Sequence, residues 1–538
     1  MTLVRWAQTR LPRLSARLPV PAILLWSSLL GLLAVLEAAT RSGSVRRSIL
    51  VPPSEVGATL IAILATGRIP SPYLARTGES SLWAHLGTTG LAVGASFGLG
   101  VLVGTMLGVI LWRVPWLERA VRPYLLIYYA LPVVALYPVL ILLFSIGPAP
   151  IITLGFLFSL GAITVNTCLG LREVERSVYV KVGRSLGLGP LALARHIYLP
   201  AAGPYIFAGW RLGFTYSIIG VIASEFITSS RGIGYVIKRT YDNFETANMY
   251  GLITLIVLIT ATVMVLLESA ETRLNRTGWV PSAGRQELGL GRPTIGWLLI
   301  PALILGLWQL GAVRLGSTFV PGIPETAERL VMGLADGTLS RHSLVTLQAL
   351  VLGTAWAVGL GLFTGFMVGT VPVVRLAYAR ALQAFYSVPK VTLYPIFLFV
   401  FGLGLESKVA FGAFHGLFPV AIYTWTGILT IKPVYFKVAR SLRLNRMQLF
   451  FRVIVPAVAP AIFTGIRLGF NVTFLGVILG EMFASRAGLG FLLMAYGGNF
   501  DLGRIFVVIL AVFGLALGLN ALLFLAERLL LAGRQSAG

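Results

Sequence analysis

Charge, histidine and cysteine are all scarce in this chain. Of 538 residues, 12% are charged, four are His and one is Cys. Soluble globular domains carry about 25% charged residues, so half of the usual solvating charge is missing. An apolar content of 57% excludes a disordered chain. At this length it also exceeds what a soluble core can hide, because large cores split into separate domains first. Cys168 stands alone, which excludes an internal disulfide framework. Acidic residues number 19, too sparse for the clustered ligands of an intramembrane metal enzyme. Lys and Arg number 43, a balance that in a soluble protein would suggest nucleic acid. Here they sit in short links between apolar stretches, as membrane topology requires, and no nucleic-acid partner is expected.

A helix needs roughly 20 apolar residues to cross a bilayer. On that criterion the first half holds six expected spans, near 19–39, 86–112, 124–146, 149–171, 202–227 and 249–268. The second half holds six more, near 294–312, 343–370, 382–403, 407–430, 458–483 and 503–527. The basic arm Arg5, Arg10, Arg13, Arg17 precedes an apolar run too long for a cleaved signal, so 1–18 reads as a cytoplasmic arm before an uncleaved anchor. Placing the N-terminus inside puts more than half of the 43 Lys and Arg on the cytoplasmic side, with both termini and the polar linker 271–293.

The halves repeat each other. Tyr129-Ala-Leu-Pro132 through Tyr137-Pro138 returns as Tyr386-Ser-Val-Pro389 through Tyr394-Pro395, at an offset of 257 residues from Pro132 to Pro389. Pro200 with Arg211-Leu-Gly-Phe214 returns as Pro456 with Arg467-Leu-Gly-Phe470, now at an offset of 256. Glu225 pairs with Glu481, and Gly232-Ile-Gly-Tyr235 with Gly488-Leu-Gly-Phe491. Six spans per repeat is an even number, so both repeats enter the membrane in the same direction. The expected fold is an all-α integral membrane protein of about 12 transmembrane helices in two parallel six-helix repeats, 19–270 and 294–538. A path for a solute would run between them.

The loops 172–200 and 431–456 are longer than the others. They share Lys181-Val-Gly-Arg184-Ser185-Leu186-Gly187-Leu188 and Lys437-Val-Ala-Arg440-Ser441-Leu442-Arg443-Leu444. Each has an amphipathic stretch, a break, and a proline (Pro200, Pro456) opening the next span, where its missing N–H costs nothing.

In the first loop, Gly187, Ile197, Leu199 and Pro200 fall on a pattern that resembles the signature of permease subunits of binding-protein-dependent ABC importers. Lys181 and Lys437 stand at that signature's Glu position, and Arg443 replaces its glycine. With Val51-Pro-Pro-Ser-Glu55, Val320-Pro-Gly-Ile-Pro-Glu325 and the Tyr-x-x-Pro blocks, the chain is similar to the nitrate/sulfonate/taurine/bicarbonate branch, with two permease domains of type I architecture fused in one chain. The resemblance implies that each loop docks a cytoplasmic ABC ATPase subunit, two in all, as a homo- or heterodimer. The expected docking ridge is Leu186, Leu188 and Leu191, with Leu442, Leu444 and Leu449. It further implies an extracytoplasmic substrate-binding protein, a bacterial inner-membrane location, and ATP with Mg on the partner subunits. The sequence holds no Gly-x-x-x-x-Gly-Lys-[Ser/Thr] phosphate loop, so this chain is expected to be neither an enzyme nor a cofactor binder.

Ionisable groups within a bilayer are costly and usually functional. Arg211, Arg467 and Lys390 lie well inside expected spans, and Lys390 has Val133 as its counterpart. Together with Tyr129, Tyr137, Tyr386 and Tyr394 they are candidates for the wall of the path. The alternative is that the arginines bond within their own bundles and that Lys390 snorkels or pairs with Tyr386. Glu225 and Glu481 fall near the external span ends, as an outer gate, a binding-protein contact, or a helix-end pair with Arg231 or Arg486. Glycines at four-residue spacing (Gly100, Gly104, Gly108; Gly361, Gly365, Gly369) predict close helix packing. His85 and His342 are repeat-equivalent and lack the partners of a metal site. The expected solute is small, polar and anionic. Its alternatives are a heteroaromatic vitamin precursor carried by the same machinery, or an ion-coupled twelve-span secondary transporter.

Overall fold

The computed structural model describes residues 20–274, 296–316 and 320–535, so the arm 1–18 and most of the linker 271–293 lie outside the described residues. Among the described residues the regular structure is helical, with one isolated bridge between Arg68 and Ser81. Among the described residues, nine helices are long and apolar enough to cross a membrane, and three sharply bent pairs raise the number to as many as twelve.

Two expected spans are not straight. Pro115–Ala130 meets Val133–Phe144 at 87°, and Pro372–Ser387 meets Lys390–Phe401 at 90°. Proline explains both breaks. Leu131 and Val388 precede Pro132 and Pro389 and are pushed into extended backbone, at ψ 134° and 139°. A single 3-10 turn follows, and Pro138 or Pro395 then sits in the first turn of a new helix, where it is tolerated.

Two other spans start earlier than expected. Pro200 and Pro456 do not open a helix but lie within ones running Pro190–Ile227 and Arg446–Phe483. Immediately before each proline comes a π-helical turn, Ala194–Tyr198 and Phe450–Ile454, in which Leu199 N donates to Ala194 O and Val455 N to Phe450 O. Shifting hydrogen bonds to the i−5 carbonyl lets the helix absorb a residue that has no N–H to give. Short helices that hydropathy alone passes over are Pro53–Thr66, Ile323–Ala335, Ile233–Asp242 and Leu489–Gly498.

The repeats are interwoven. Val20–Arg41, at the start of the first, packs on Pro372–Ser387 of the second. Gly296–Leu315 packs reciprocally on Pro115–Ala130, where Trp297 Nε1 donates to Arg119 O at 3.3 Å and the Tyr124 hydroxyl donates to Trp297 O. The 3-10 turn of each repeat lies against the long fifth helix of the other. Within each repeat, Leu82–Arg113 lies on Pro148–Arg176 and Thr338–Thr370 on Leu405–Leu429, through the glycine stripes. A Cβ on Gly108 would stand 2.6 Å from Thr167 Cβ, and one on Gly365 2.6 Å from Thr424 Cβ.

Gly365→Ala is therefore expected to force Thr338–Thr370 off its neighbour, because Ala421 O also lies 2.8 Å from the new methyl. The expected loss is roughly 1–3 kcal/mol. Gly359→Ala, in the same helix with nothing within 4 Å, is neutral or slightly stabilising. Thermal unfolding of the two variants in detergent checks the contrast.

Candidate coupling surfaces and translocation path

The candidate coupling loops fold as amphipathic helices, Val178–Ser185 and Pro433–Ser441. One face of each turns inward. Val180 packs with Leu171, Val174, Leu193 and Tyr198, and in the second repeat Ala439 is buried. The opposite face is open. Val178, Tyr179, Val182 and Leu186 are exposed, as are Val434, Tyr435, Val438 and Leu442, with Leu186 at 73% and Leu442 at 66%. Lys181, Arg184 and Ser185, and likewise Lys437, Arg440 and Ser441, share that open face. The expected ridge is thus partly corrected. Leu188 packs into the first inward cluster and Leu449 into the second, Leu444 is half-buried, and Leu191 stays exposed.

Each coupling helix ends on a residue in the left-handed region. In the first loop this is Gly187, at φ +72°, where glycine pays no steric penalty. In the second it is Arg443, at φ +48°. A side chain there costs roughly 1–2 kcal/mol. The Asn445–Gln448 capping box that opens the next turn offsets part of it.

The in-span arginines are spoken for. Arg211 pairs with Glu271 and Arg467 with Glu527, both at 3.3 Å. Each pair ties the fifth span of a repeat to its own sixth. Both acidic partners were missed in the sequence because they fall at or beyond the ends of their apolar runs, although they share the repeat offset. Tyr137 and Tyr394 are buried braces, donating to Thr228 O at 3.0 Å and Gly480 O at 2.9 Å. Tyr129 and Tyr386 remain partly accessible, and Tyr386 approaches Tyr216 of the other repeat and Tyr423. Lys390 neither snorkels nor meets a carboxylate among the described residues. Its Nζ donates to Tyr386 O at 2.8 Å and lies 4.9 Å and 5.2 Å from the ring centroids of Tyr386 and Phe418. A second buried lysine, Lys408, was overlooked because it sits at a span end. It donates to Gly404 O at 2.8 Å and, with Glu481, Ser485 and Arg486, lines a cavity of about 460 Å³.

Glu225 and Glu481 are 1% and 2% exposed and leave no surface for a docking protein. Their partners are not Arg231 or Arg486 but a clasp built twice. Thr89 Oγ1 donates to Glu225 at 2.8 Å, Gly234 N donates to the same carboxylate at 2.8 Å, and Ile233 N donates to Thr89 Oγ1 at 2.9 Å. Gly232 N donates to His85 Nδ1 at 3.2 Å. In the second repeat Thr346 donates to Glu481 at 2.9 Å, Gly490 N to Glu481 at 2.9 Å, Leu489 N to Thr346 at 2.8 Å and Gly488 N to His342 Nδ1 at 3.0 Å. Gly232 and Gly488 have φ of +107° and +109°, and a Cβ on either would lie 2.2 Å from the carboxylate. The two histidines, read as bystanders in the sequence, belong to this clasp.

Between the clasps the repeats meet in an aromatic seal. Phe226 lies 5.4 Å from Phe483, Tyr394 5.4 Å from Phe483 and Tyr241 4.8 Å from Phe399, ring to ring. Ala223, Ile227, Val391 and Leu479 complete the apolar contact.

Two helical repeats that meet in an aromatic contact, with twin amphipathic helices at the other end of the long fifth spans, fit a membrane transport subunit. The family described as the binding-protein-dependent transport system inner membrane component matches residues 100–277 and again 357–533, and the chain belongs to that family. It is 32% identical over 253 residues to the aliphatic sulfonates transport permease protein of Bacillus subtilis, covering 46% of this chain and 91% of the relative. The riboflavin transport system permease protein of Chloroflexus aurantiacus is 32% identical, over 44% of this chain and 90% of its own. The taurine transport system permease protein of Escherichia coli is 30% identical, over 43% and 86%. Each relative corresponds in length to about one repeat, so this chain is a multi-pass ABC importer permease with two permease domains.

Two measurements probe the site. Thr346→Val removes a hydroxyl that both donates to Glu481 and accepts from Leu489, leaving buried polar groups unmatched. The expected loss is about 1–3 kcal/mol in thermal unfolding, with Thr346→Ser close to wild type. Arg443→Gly relieves the left-handed strain and raises local stability by roughly 0.5–1 kcal/mol, whereas Gly187→Arg lowers it by roughly 1–2 kcal/mol. Hydrogen-exchange protection of the two turns reports both.

Proposed function

We propose that this chain forms the whole translocation path of an ATP-driven importer in the bacterial inner membrane. In this reading 19–270 and 294–538 are its two permease units, and both termini are cytoplasmic. Two ABC ATPase subunits, which bind ATP and Mg, dock on loops 172–200 and 431–456. A substrate-binding protein delivers the solute at the opposite face. The observation that carries the reading is the pair of solvent-exposed apolar rows, Val178, Tyr179, Val182, Leu186 and Val434, Tyr435, Val438, Leu442. A lone helix could rest on headgroups. Two repeat-related ones, each braced from behind by a packed cluster, suit a rigid partner better. The aromatic seal and the carboxylate clasps would then form the closed outer gate.

The solute we infer is a small polar anion. Lys390 supports this: among the described residues its buried amine at the repeat interface has no carboxylate partner, and an anionic solute would supply the counter-charge that its ammonium form lacks. The sulfonate and taurine named for two relatives point the same way. A heteroaromatic solute is the second reading. It is favoured by the group of tyrosines Tyr129, Tyr216, Tyr386 and Tyr423, of which Tyr386 meets that lysine, and by the riboflavin and formylaminopyrimidine named for other relatives.

Reconstitution in vesicles with the ABC ATPase and binding protein encoded nearest to the chain tests both levels. The permease alone is expected to hydrolyse no ATP, and the double variant Val182→Asp, Val438→Asp to lose ATPase association. Labelled taurine, ethanesulfonate and riboflavin then distinguish the solutes. With an anionic solute, Lys390→Met lowers uptake at least tenfold. Riboflavin uptake untouched by Lys390→Met selects the second reading.

A further inference from the structure

The two coupling helices are far more alike outside than inside. Every exposed position of the first, Val178, Tyr179, Lys181, Val182, Arg184, Ser185 and then Leu186, has the same residue at its counterpart 256 positions on, from Val434 to Leu442. The positions turned toward the protein differ: Val180 against Phe436, and Gly183 against Ala439. The supporting segments that follow have diverged further, with Gly189-Pro190-Leu-Ala-Leu-Ala in one and Asn445-Arg446-Met-Gln-Leu-Phe in the other. Internal packing tolerates compensating changes within each repeat. An identical outer face, held on differing supports, is what two equal binding surfaces require.

Backbone geometry agrees. Leu186 N donates to Val182 O at 2.9 Å and Leu442 N to Val438 O at 3.0 Å. Gly187 N donates to Arg184 O and Arg443 N to Arg440 O, both at 3.0 Å. Leu188 N reaches Gly183 O at 3.1 Å, and Leu444 N reaches Ala439 O at 3.0 Å. Arg443 therefore follows the same path as Gly187 despite its side chain, so the exchange leaves the presentation of the helix unaltered. Each face joins an apolar row to one Lys and one Arg, and the complementary surface is an apolar groove with an acidic rim.

We infer that both coupling helices dock the same polypeptide, so that this single asymmetric chain works with two copies of one ATPase rather than with two different ones. The inference rests on the importer reading above. Among the described residues of the second loop, a dissimilar partner would have to read Lys432 and Pro433 ahead of the helix, where the first loop has Arg176 and Ser177, or the exposed Arg443 and the segment after it.

The test co-expresses the full chain with the single ABC ATPase encoded nearest to it, supplied as two differently tagged copies, and purifies over both tags in succession. The expected product contains both tags at one permease to two ATPases by native mass. Leu186→Asp and Leu442→Asp, singly, should lower ATPase occupancy and ATP turnover by the same factor, within about twofold. Leu186→Ala and Leu442→Ala repeat the comparison if an aspartate variant fails to fold. A complex that assembles only when a second, different ATPase is added overturns the inference, as does a difference above tenfold between the two single variants. If no ABC ATPase of any kind binds the wild-type chain, the importer reading itself fails, and the inference falls with it.

Discussion

A peptide group inside a bilayer has no water to bond, so any break in a membrane helix must be covered by protein. That constraint organises this molecule. Pro132 and Pro389 force breaks in mid-span, and the exposed backbone of each break has to be buried. The fold buries each one under the other repeat: Val133–Leu136 lies against Val455–Phe483, and Lys390–Leu393 against Leu199–Ile227. Each half therefore helps to close the broken span of the other. The pseudo-two-fold pairing follows from backbone chemistry as much as from side-chain fit, and the reciprocal packing of Val20–Arg41 and Gly296–Leu315 completes it.

The same economy governs polar groups elsewhere in the interior. Arg211 and Arg467 are matched by carboxylates, Glu225 and Glu481 by hydroxyl and amide donors, and Tyr137 and Tyr394 by carbonyls at helix ends. Against this background Lys390 and Lys408 stand out. Both are buried, both bond only to backbone carbonyls among the described residues, and both replace apolar residues of the first repeat, Val133 and Ile151. The repeats have kept their framework and diverged in interior charge, which suits a path with one cationic wall.

Much of this architecture was legible in the residues. Spans such as Leu82–Arg113 and Thr338–Thr370 announce themselves by apolar length, and the duplication by the offset linking Tyr129 to Tyr386. The bends at Pro132 and Pro389 were foreshadowed by proline, but a kink and a right angle look alike in sequence; the second proline at 138 or 395, restarting the helix, was the available clue. The clasp was harder to see. His85 and Thr89 lie well over a hundred residues from Glu225 and Gly232, and each alone fits a blander role. Their joint recurrence as His342, Thr346, Glu481 and Gly488 was the signal, and it becomes decisive only when space brings the two segments together. The coupling ridge shows the opposite limit. Leu186 and Leu188 are equally apolar and two residues apart, and only the left-handed turn at Gly187 sends one outward and the other into the cluster.

The long fifth helices connect the candidate coupling surfaces to the clasps and the aromatic contact. Pro190–Ile227 runs 38 residues, about 57 Å at 1.5 Å per residue. Near its start, Leu193 and Tyr198 share a packed cluster with the coupling helix; near its far end it carries Glu225 of the clasp and Phe226 of the seal. Arg446–Phe483 repeats the arrangement with Ile454 and Val458 at one end and Glu481 and Phe483 at the other. In the proposed function, a rod of that length packed at both ends would carry a displacement of its base to its tip. Phe226 and Phe483 belong to different rods and touch each other, so moving the bases relative to each other must act on that contact. The π-helical turns sit between coupling cluster and span, where a helix can change its twist without losing its hydrogen bonds. They are the places at which each rod can bend rather than break.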